Sequence, residues 1–210
     1  MFAWTDLATY VAVVALLFLI PGPAVLLTLA RAISGGPRAG IATGFGIAAG
    51  DAAHTLMAVI GLSAVLMTSA LAFDIVKYLG AAYLIYLGIR AVLERSGGGF
   101  DLPNVKPLSG VVVFRQAFLT EILNPKTALF FLSFLPQFVD PARGAVSLQL
   151  LVLGAIFVVM SMAYTSMLAW AAGSFAGFLK RNAAIARWQN KVVGGIYIGL
   201  GLQLALQERR

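Results

Sequence analysis

Six long apolar runs divide the chain, and they constrain its fold more than any other feature. Two of the longer runs, residues 7–29 and 147–173, contain no charged side chain, and neither does the short last run. A helix needs about 20 mainly apolar residues to cross the ~30 Å hydrocarbon core of a bilayer. The other runs are residues 40–68, 75–93, 114–138 and 192–206. We therefore predict an all-α membrane protein with six transmembrane helices.

The composition favours lipid over water as the main solvent. Hydrophobic residues make up 60% of the chain and charged residues 11%, against roughly 45–50% and about 25% in soluble domains. The same figures exclude a disordered chain. The chain has no cysteine and one histidine, which excludes a disulfide framework, a thiolate metal site and a histidine cluster. We expect neither a metal centre nor a cofactor.

The positive charges are concentrated in alternate connections between the predicted helices. The net charge is +7, and ten of the fifteen Lys and Arg residues fall in connections one, three and five, the first of which contains Arg31 and Arg38. The positive-inside rule puts these connections in the cytoplasm and both termini outside. Because the basic residues are scattered over short loops, nucleic-acid binding is not expected.

Two of the six predicted helices contain helix-breaking motifs. The first contains Pro21-Gly22-Pro23 and the fourth contains Asn124-Pro125-Lys126. Proline removes a backbone donor and clashes with the preceding turn, so both helices should unwind or kink there. One such break is equally well read as a packing kink. Paired breaks in corresponding positions of two halves indicate a transporter substrate site.

The positions of the breaks predict two inverted three-helix repeats. Three helices per half give the halves opposite topology, with boundaries at 1–95 and 114–210 and a cytoplasmic linker at 96–113. At about 1.5 Å per residue, Pro21 lies roughly 21 Å along helix one, Asn124 roughly 15 Å along helix four and Asp51 about 16 Å along helix two. Helices one and four are therefore predicted to break near the bilayer midplane.

Three ionisable residues are predicted deep within the membrane: Asp51, Glu121 and Lys126. Each costs at least a few kcal/mol there unless it faces a partner or a cavity. Asp51 is interpreted as a site for a cation, a substrate ammonium group or a proton, with a structural ion pair as the alternative. For Glu121 and Lys126, structural and direct roles are equally open. His54 either hydrogen-bonds a neighbour or handles protons.

These motifs resemble those of the lysine exporter (LysE) superfamily, and the fourth predicted helix resembles its homoserine/threonine exporter (RhtB) branch. The resemblance covers nearly the whole chain, residues 7–206. It implies a multi-pass protein of the bacterial inner membrane that exports an amino acid or a related small solute. The matching motifs are Pro21-Gly22-Pro23, Gly46-x-x-x-Gly50-Asp51-x-x-His54 and Glu121-x-x-Asn124-Pro125-Lys126.

The leading hypothesis is therefore proton-driven export of a small zwitterion. Asp51 or Glu121 would meet its ammonium group, and Lys126 with the helix start near Asn124 would meet its carboxylate. The alternative is export of a cation or metal ion by the same scaffold. An enzyme is not expected, because the chain lacks H-E-x-x-H and G-x-S-x-G. The ATP-binding motif G-x-x-x-x-G-K-[ST] is also absent, so the energy for transport should not come from a nucleotide. The glycine-rich helices two and six leave a homodimer open.

Overall fold

The computed structural model describes residues 2–19, 21–62 and 108–181, together with scattered positions between 75 and 93 and between 191 and 206. These residues are helical or lie in short connections, with no strand among them. Two helices of the described part are long and apolar enough to cross a membrane, or three if a bent pair counts as one. Much of the predicted third and sixth helices and most of the linker lie outside the described residues.

The first predicted helix is divided between two helices, the second of which continues into the second predicted helix. Helix α1 spans Trp4–Leu19 and helix α2 spans Pro23–Met57, followed by a π-helical turn at Ala58–Leu62. Pro23 is the first residue of α2, where the lack of an amide hydrogen costs nothing and the fixed φ suits the helix. The chain thus restarts as a helix directly after the predicted break.

Helix α2 reverses direction at Gly36, whose φ of 77° and ψ of 177° lie outside the helical region. A methyl group at Gly40 would lie 2.8 Å from Cβ of Ala32. Residues eight apart in a straight helix are separated by about 12 Å. Helix α2 is therefore two antiparallel limbs, a short limb (residues 23–35) and a long limb (residues 37–57). Glycine fits the turn because side chains disfavour this positive φ.

One residue assigned from the sequence to the first connection lies elsewhere. Arg31 is on the short limb, where its side chain is 4% exposed. Its Nη2 donates a hydrogen bond to Oε1 of Gln116 at 2.5 Å. The assignment of Arg31 to a connecting loop was wrong, because the short limb continues past it and the connection is the turn at Gly36.

The fourth predicted helix is also broken. Helix α3 spans Gly110–Ile122 and helix α4 spans Pro125–Leu129. A π-helical turn, Phe130–Phe134, and a 3-10 turn, Leu135–Phe138, continue α4. The two parts are bent by 45°. After a 3-10 turn at Pro141–Arg143, helix α5 runs over Val146–Arg181.

Glycines bring the long limb into close contact with both α3 and α5. A methyl group at Gly46 would lie 2.7 Å from Cβ of Ala117, and one at Gly50 would lie 2.6 Å from Cβ of Glu121, both on α3. On another side of the limb, a methyl group at Gly44 would lie 2.7 Å from the hydroxyl oxygen of Thr165 on α5. Small residues four apart permit such close helix packing. The long limb is thereby wedged between α3 and α5.

The buried side chains of α5 change character along the helix. Leu153 and Phe157 belong to an apolar cluster that includes the side chains of α1 and the aromatic residues after α4. Leu168, Ala169 and Ala172 pack with the short limb in a second apolar cluster. Ser161 and Thr165 lie between them and are both buried. A polar layer thus separates two apolar ones.

Candidate functional site

A cavity lies in the polar layer, with an empty volume of about 350 Å³ that includes the part open to the surroundings. It is bordered by the end of α1, the start of α2, the long limb, the break between α3 and α4, and α5. Its polar lining residues are Asp51, Glu121, Asn124, Lys126, Thr127, Ser161, Tyr164 and Thr165. Both helix breaks therefore open onto the same space.

The break in the first predicted helix is bridged by a side chain from the other break. In an α-helix the carbonyl of Leu17 would accept a hydrogen bond from the amide of residue 21. Residue 21 is proline, which has no amide hydrogen. Nζ of Lys126 instead donates to this carbonyl at 3.3 Å. A cation at a helix C-terminus is also favoured by the helix dipole, so Lys126 stabilises the end of α1.

The second break is bridged in the same way. The carbonyl of Glu121 would pair with the amide of residue 125, which is again proline. Nε2 of His54, on the long limb, lies 3.0 Å from this carbonyl, and the amide of Asn124 donates to it at 3.0 Å. The carbonyl can only accept, so Nε2 carries the proton of this contact. The imidazole ring also stacks on Phe131, with 5.7 Å between ring centroids.

Asn124 connects the second break to the acid beside it. Its side-chain Oδ1 accepts a hydrogen bond from the amide of Lys126 at 3.1 Å and so caps α4. Its Nδ2 lies 3.2 Å and 3.3 Å from the two carboxylate oxygens of Glu121 and donates to them. Glu121 is 2% exposed. The side chain of Asn124 thus hydrogen-bonds both to an amide in the first turn of α4 and to the buried carboxyl group of Glu121.

We expect His54→Gln to retain transport and stability and His54→Leu to reduce both, because glutamine restores an N–H donor, whereas leucine leaves the Glu121 carbonyl with the Asn124 amide as its one donor among the described residues. The loss of one hydrogen bond of this kind costs about 0.5–1.5 kcal/mol. Thermal unfolding in detergent and solute efflux would measure the two effects. Equal loss in both variants would contradict a donor role and favour proton handling by the ring.

Asp51 differs from Glu121 in its hydrogen bonding. Its side chain is 1% exposed. Neither of its carboxylate oxygens has a hydrogen-bond partner within the part of the chain that the structure describes. A buried charge without a partner is costly. A cationic ligand group or a proton at Asp51 would relieve this cost.

The structure brings most of the predicted site residues together. Asp51, Glu121, Asn124 and Lys126 line the cavity, and His54 contacts the backbone beside it. Pro21, Gly22, Pro23 and Pro125 form the two helix breaks. A methyl group at Gly22 would lie 3.3 Å from Nζ of Lys126, so glycine permits the approach of the lysine.

Sequence reasoning expected pocket residues from the fifth predicted helix, here α5, but did not assign them. Phe157, Ser161, Tyr164 and Thr165 line the cavity but were not predicted. Ser161 and Thr165 are four residues apart in an otherwise apolar, uncharged run. This spacing puts two hydroxyl groups on one helix face and was the available signal.

The chain matches the LysE type translocator family over residues 15–208. It belongs to that family. An uncharacterized membrane protein of Pseudomonas aeruginosa is 35% identical to it, with 96% of this chain and 95% of the relative aligned. The membrane protein YrhP of Bacillus subtilis is 30% identical, over 96% of this chain and 99% of the relative.

A leucine efflux protein of Salmonella typhimurium is 28% identical to this LysE type translocator, over 94% of this chain and 93% of the relative. No solved structure matches the chain at a significant level. Membership of this translocator family supports transmembrane amino-acid transport as the function and is consistent with a protein that is not an enzyme. Within the family, the homoserine/threonine exporter branch remains a prediction.

Proposed function

We propose that this translocator exports a small amino acid or a close derivative across the bacterial inner membrane, driven by the proton motive force. The observation that carries the proposal is the cavity at two broken helices, which has two buried acids and one lysine on its walls. A zwitterion needs both an anionic and a cationic partner, and this set of side chains supplies both. The family and the relative named a leucine efflux protein support the amino-acid class.

The charged groups suggest how a bound zwitterion is oriented. Asp51 has unpaired oxygens for the ammonium group, and Glu121 lies on the same cavity. The carboxylate would lie against Lys126 and the start of α2, where Ala24 and Val25 line the cavity. The first amides of a helix have no intrahelical partner and carry partial positive charge. The substrate carboxylate would thus bridge the two breaks.

In this proposal, Asp51 and Glu121 couple transport to the movement of protons. A proton on Asp51 or Glu121 and a substrate ammonium group would compete for the same buried charge, so binding of one would favour release of the other. Alternating access would then rock one three-helix repeat against the other, with both termini outside. This assignment rests on the six-helix inverted-repeat arrangement and on the orientation predicted from the sequence. The protein would be surrounded by membrane lipid, and its glycine-rich helices leave a homodimer open.

Cells loaded with feeding dipeptides provide the test. Expression of the full chain should raise the external concentration of at least one amino acid several-fold over an empty vector, and a protonophore should abolish the excess. If no amino acid differs between the two strains, the proposal is wrong. Resistance to a metal salt without amino-acid efflux would favour the alternative, export of a cation through the two acids.

A further inference from the structure

The cavity has an apolar wall as well as a charged one. Its apolar lining residues are Leu17, Phe18, Ala24, Val25, Ile47 and Phe157. The three charged residues of the described lining, Asp51, Glu121 and Lys126, all lie outside this set. The charged wall has partners for an ammonium group and a carboxylate, whereas the apolar wall offers only hydrocarbon and aromatic surface.

Aromatic packing holds this apolar wall in place. The ring of Phe18 stacks on Tyr164 with 5.5 Å between centroids and a 13° interplanar angle. The same ring meets Phe157 edge-on, with 5.1 Å between centroids. Phe157 in turn packs against Phe130 and Phe131, at 5.2 Å and 5.0 Å. Such contacts fix ring positions beyond what burial alone provides.

The apolar and charged walls meet at one turn of α1. Phe18 follows Leu17, whose carbonyl accepts the hydrogen bond from Lys126. Val25 lies in the first turn of α2, beside the amides assigned to the substrate carboxylate. A zwitterion bound through its charged groups therefore has its side chain next to Phe18, Val25 and Ile47.

We infer that Phe18, Val25, Ile47 and Phe157 form a side-chain subsite and that the substrates are neutral amino acids with aliphatic side chains. This inference rests on the proposed function and specifies its substrate class. Each methylene buried against such a wall improves binding about fourfold. A charged side chain would lose its hydration there without gaining a partner. Leucine and norvaline should therefore bind much better than alanine, and lysine and glutamate should bind poorly.

The test uses the purified full chain in proteoliposomes and measures the uptake of labelled leucine, alanine, phenylalanine, lysine or glutamate, each in exchange for the same amino acid inside. In the leucine assay, unlabelled leucine, norvaline, phenylalanine, alanine, lysine and glutamate are added as competitors. The subsite predicts that leucine and norvaline compete at least tenfold better than alanine, and that lysine and glutamate fail to compete. Lysine as the best competitor, or alanine equal to leucine, would overturn it.

Two substitutions change the size of the subsite in opposite directions. Val25→Phe should lower the preference for leucine over alanine about tenfold, and Ile47→Ala should shift the preference from leucine towards phenylalanine. The matched controls are Val159→Phe and Ile60→Ala, at side chains that are 68% and 76% exposed. Both controls should keep the wild-type ratios. A merely structural defect lowers all rates together and leaves the ratios unchanged.

The outcomes separate this inference from the proposed function. Exchange of amino acids with ratios that do not respond to Val25→Phe or Ile47→Ala would contradict the subsite and leave amino-acid export intact. Absence of exchange with every amino acid, for a wild-type protein that remains folded, would contradict both. The competition series with the wild-type protein decides the inference even if a variant fails to fold.

Discussion

Asp51→Asn is expected to reduce amino-acid export by roughly 10–100-fold while leaving the protein at least as stable as the wild type. A hydrogen bond to a charged group contributes about 1.5–3 kcal/mol, and each 1.4 kcal/mol is about a tenfold change. Asparagine keeps the shape of the side chain but cannot carry the charge or exchange the proton. Efflux from dipeptide-loaded cells measures the loss.

Stability should change in the opposite direction to export. The variant replaces a buried carboxyl group whose oxygens have no partner among the described residues with a neutral amide, so the cost of burying a charge at this position is removed. Thermal unfolding in detergent should give an equal or higher Tm. A lower Tm together with lost export would indicate a structural role for Asp51, and wild-type export would refute its role in the site.

The matched control for this variant is Asp6→Asn. Asp6 forms an ion pair with Arg143 at 3.1 Å, and both side chains are substantially exposed. Exposed ion pairs contribute about 0–1 kcal/mol. We expect export within about twofold of the wild type, which shows that the loss at Asp51 depends on its position in the cavity.

Lys126→Met should reduce both export and stability, in contrast to Asp51→Asn. The variant removes the donor to the Leu17 carbonyl and the cation on the cavity wall. An unsatisfied buried carbonyl costs about 1–3 kcal/mol, and export should fall by tenfold or more because the substrate carboxylate loses its partner. Lys191→Met, at an exposed position, is the matched control and should change neither property.

A second substitution separates the two roles of Lys126. Pro21→Ala restores an amide hydrogen at the position that would normally pair with the Leu17 carbonyl. The stability lost in Lys126→Met should therefore be smaller in the Pro21→Ala background than in the wild type, a non-additivity that a double-mutant cycle measures. Export should not recover, because the cation is still missing. Additive losses of stability would contradict the proposed repair of the break.

The breaks themselves were predictable because they are local properties of the chain. Pro21, Pro23 and Pro125 lack the amide hydrogen of a regular helix wherever they occur, and the structure ends α1 at Leu19 and begins α4 at Pro125. The all-helical character followed from the lengths of the apolar runs, and membership of the LysE family followed from the motifs around the breaks. The six-helix inverted repeat remains a prediction, because much of the third and sixth helices lies outside the described residues.

The assignment of Arg31 to a connecting loop was wrong because it relied on charge alone. A rule based on charge identifies loops by their basic residues, but the end of a limb depends on where the backbone turns. That turn is set by the conformation of Gly36, and packing against α3 then buries the guanidinium group next to Gln116. The individual residues that α5 contributes to the cavity could not be assigned from the sequence, because a long uncharged run does not indicate which of its faces turns inward.

The sequence by itself determined where two carbonyls lose their helical partners, since proline at residues 21 and 125 decides this locally. Only the tertiary structure decided which side chains replace those partners. The replacements are Lys126 for Leu17 and His54 for Glu121, which are 109 and 67 residues apart in the chain. Contacts over such separations depend on how helices pack, here through the close approach at Gly22, Gly46 and Gly50. Helix packing thus brings the two helix breaks together at one polar cavity.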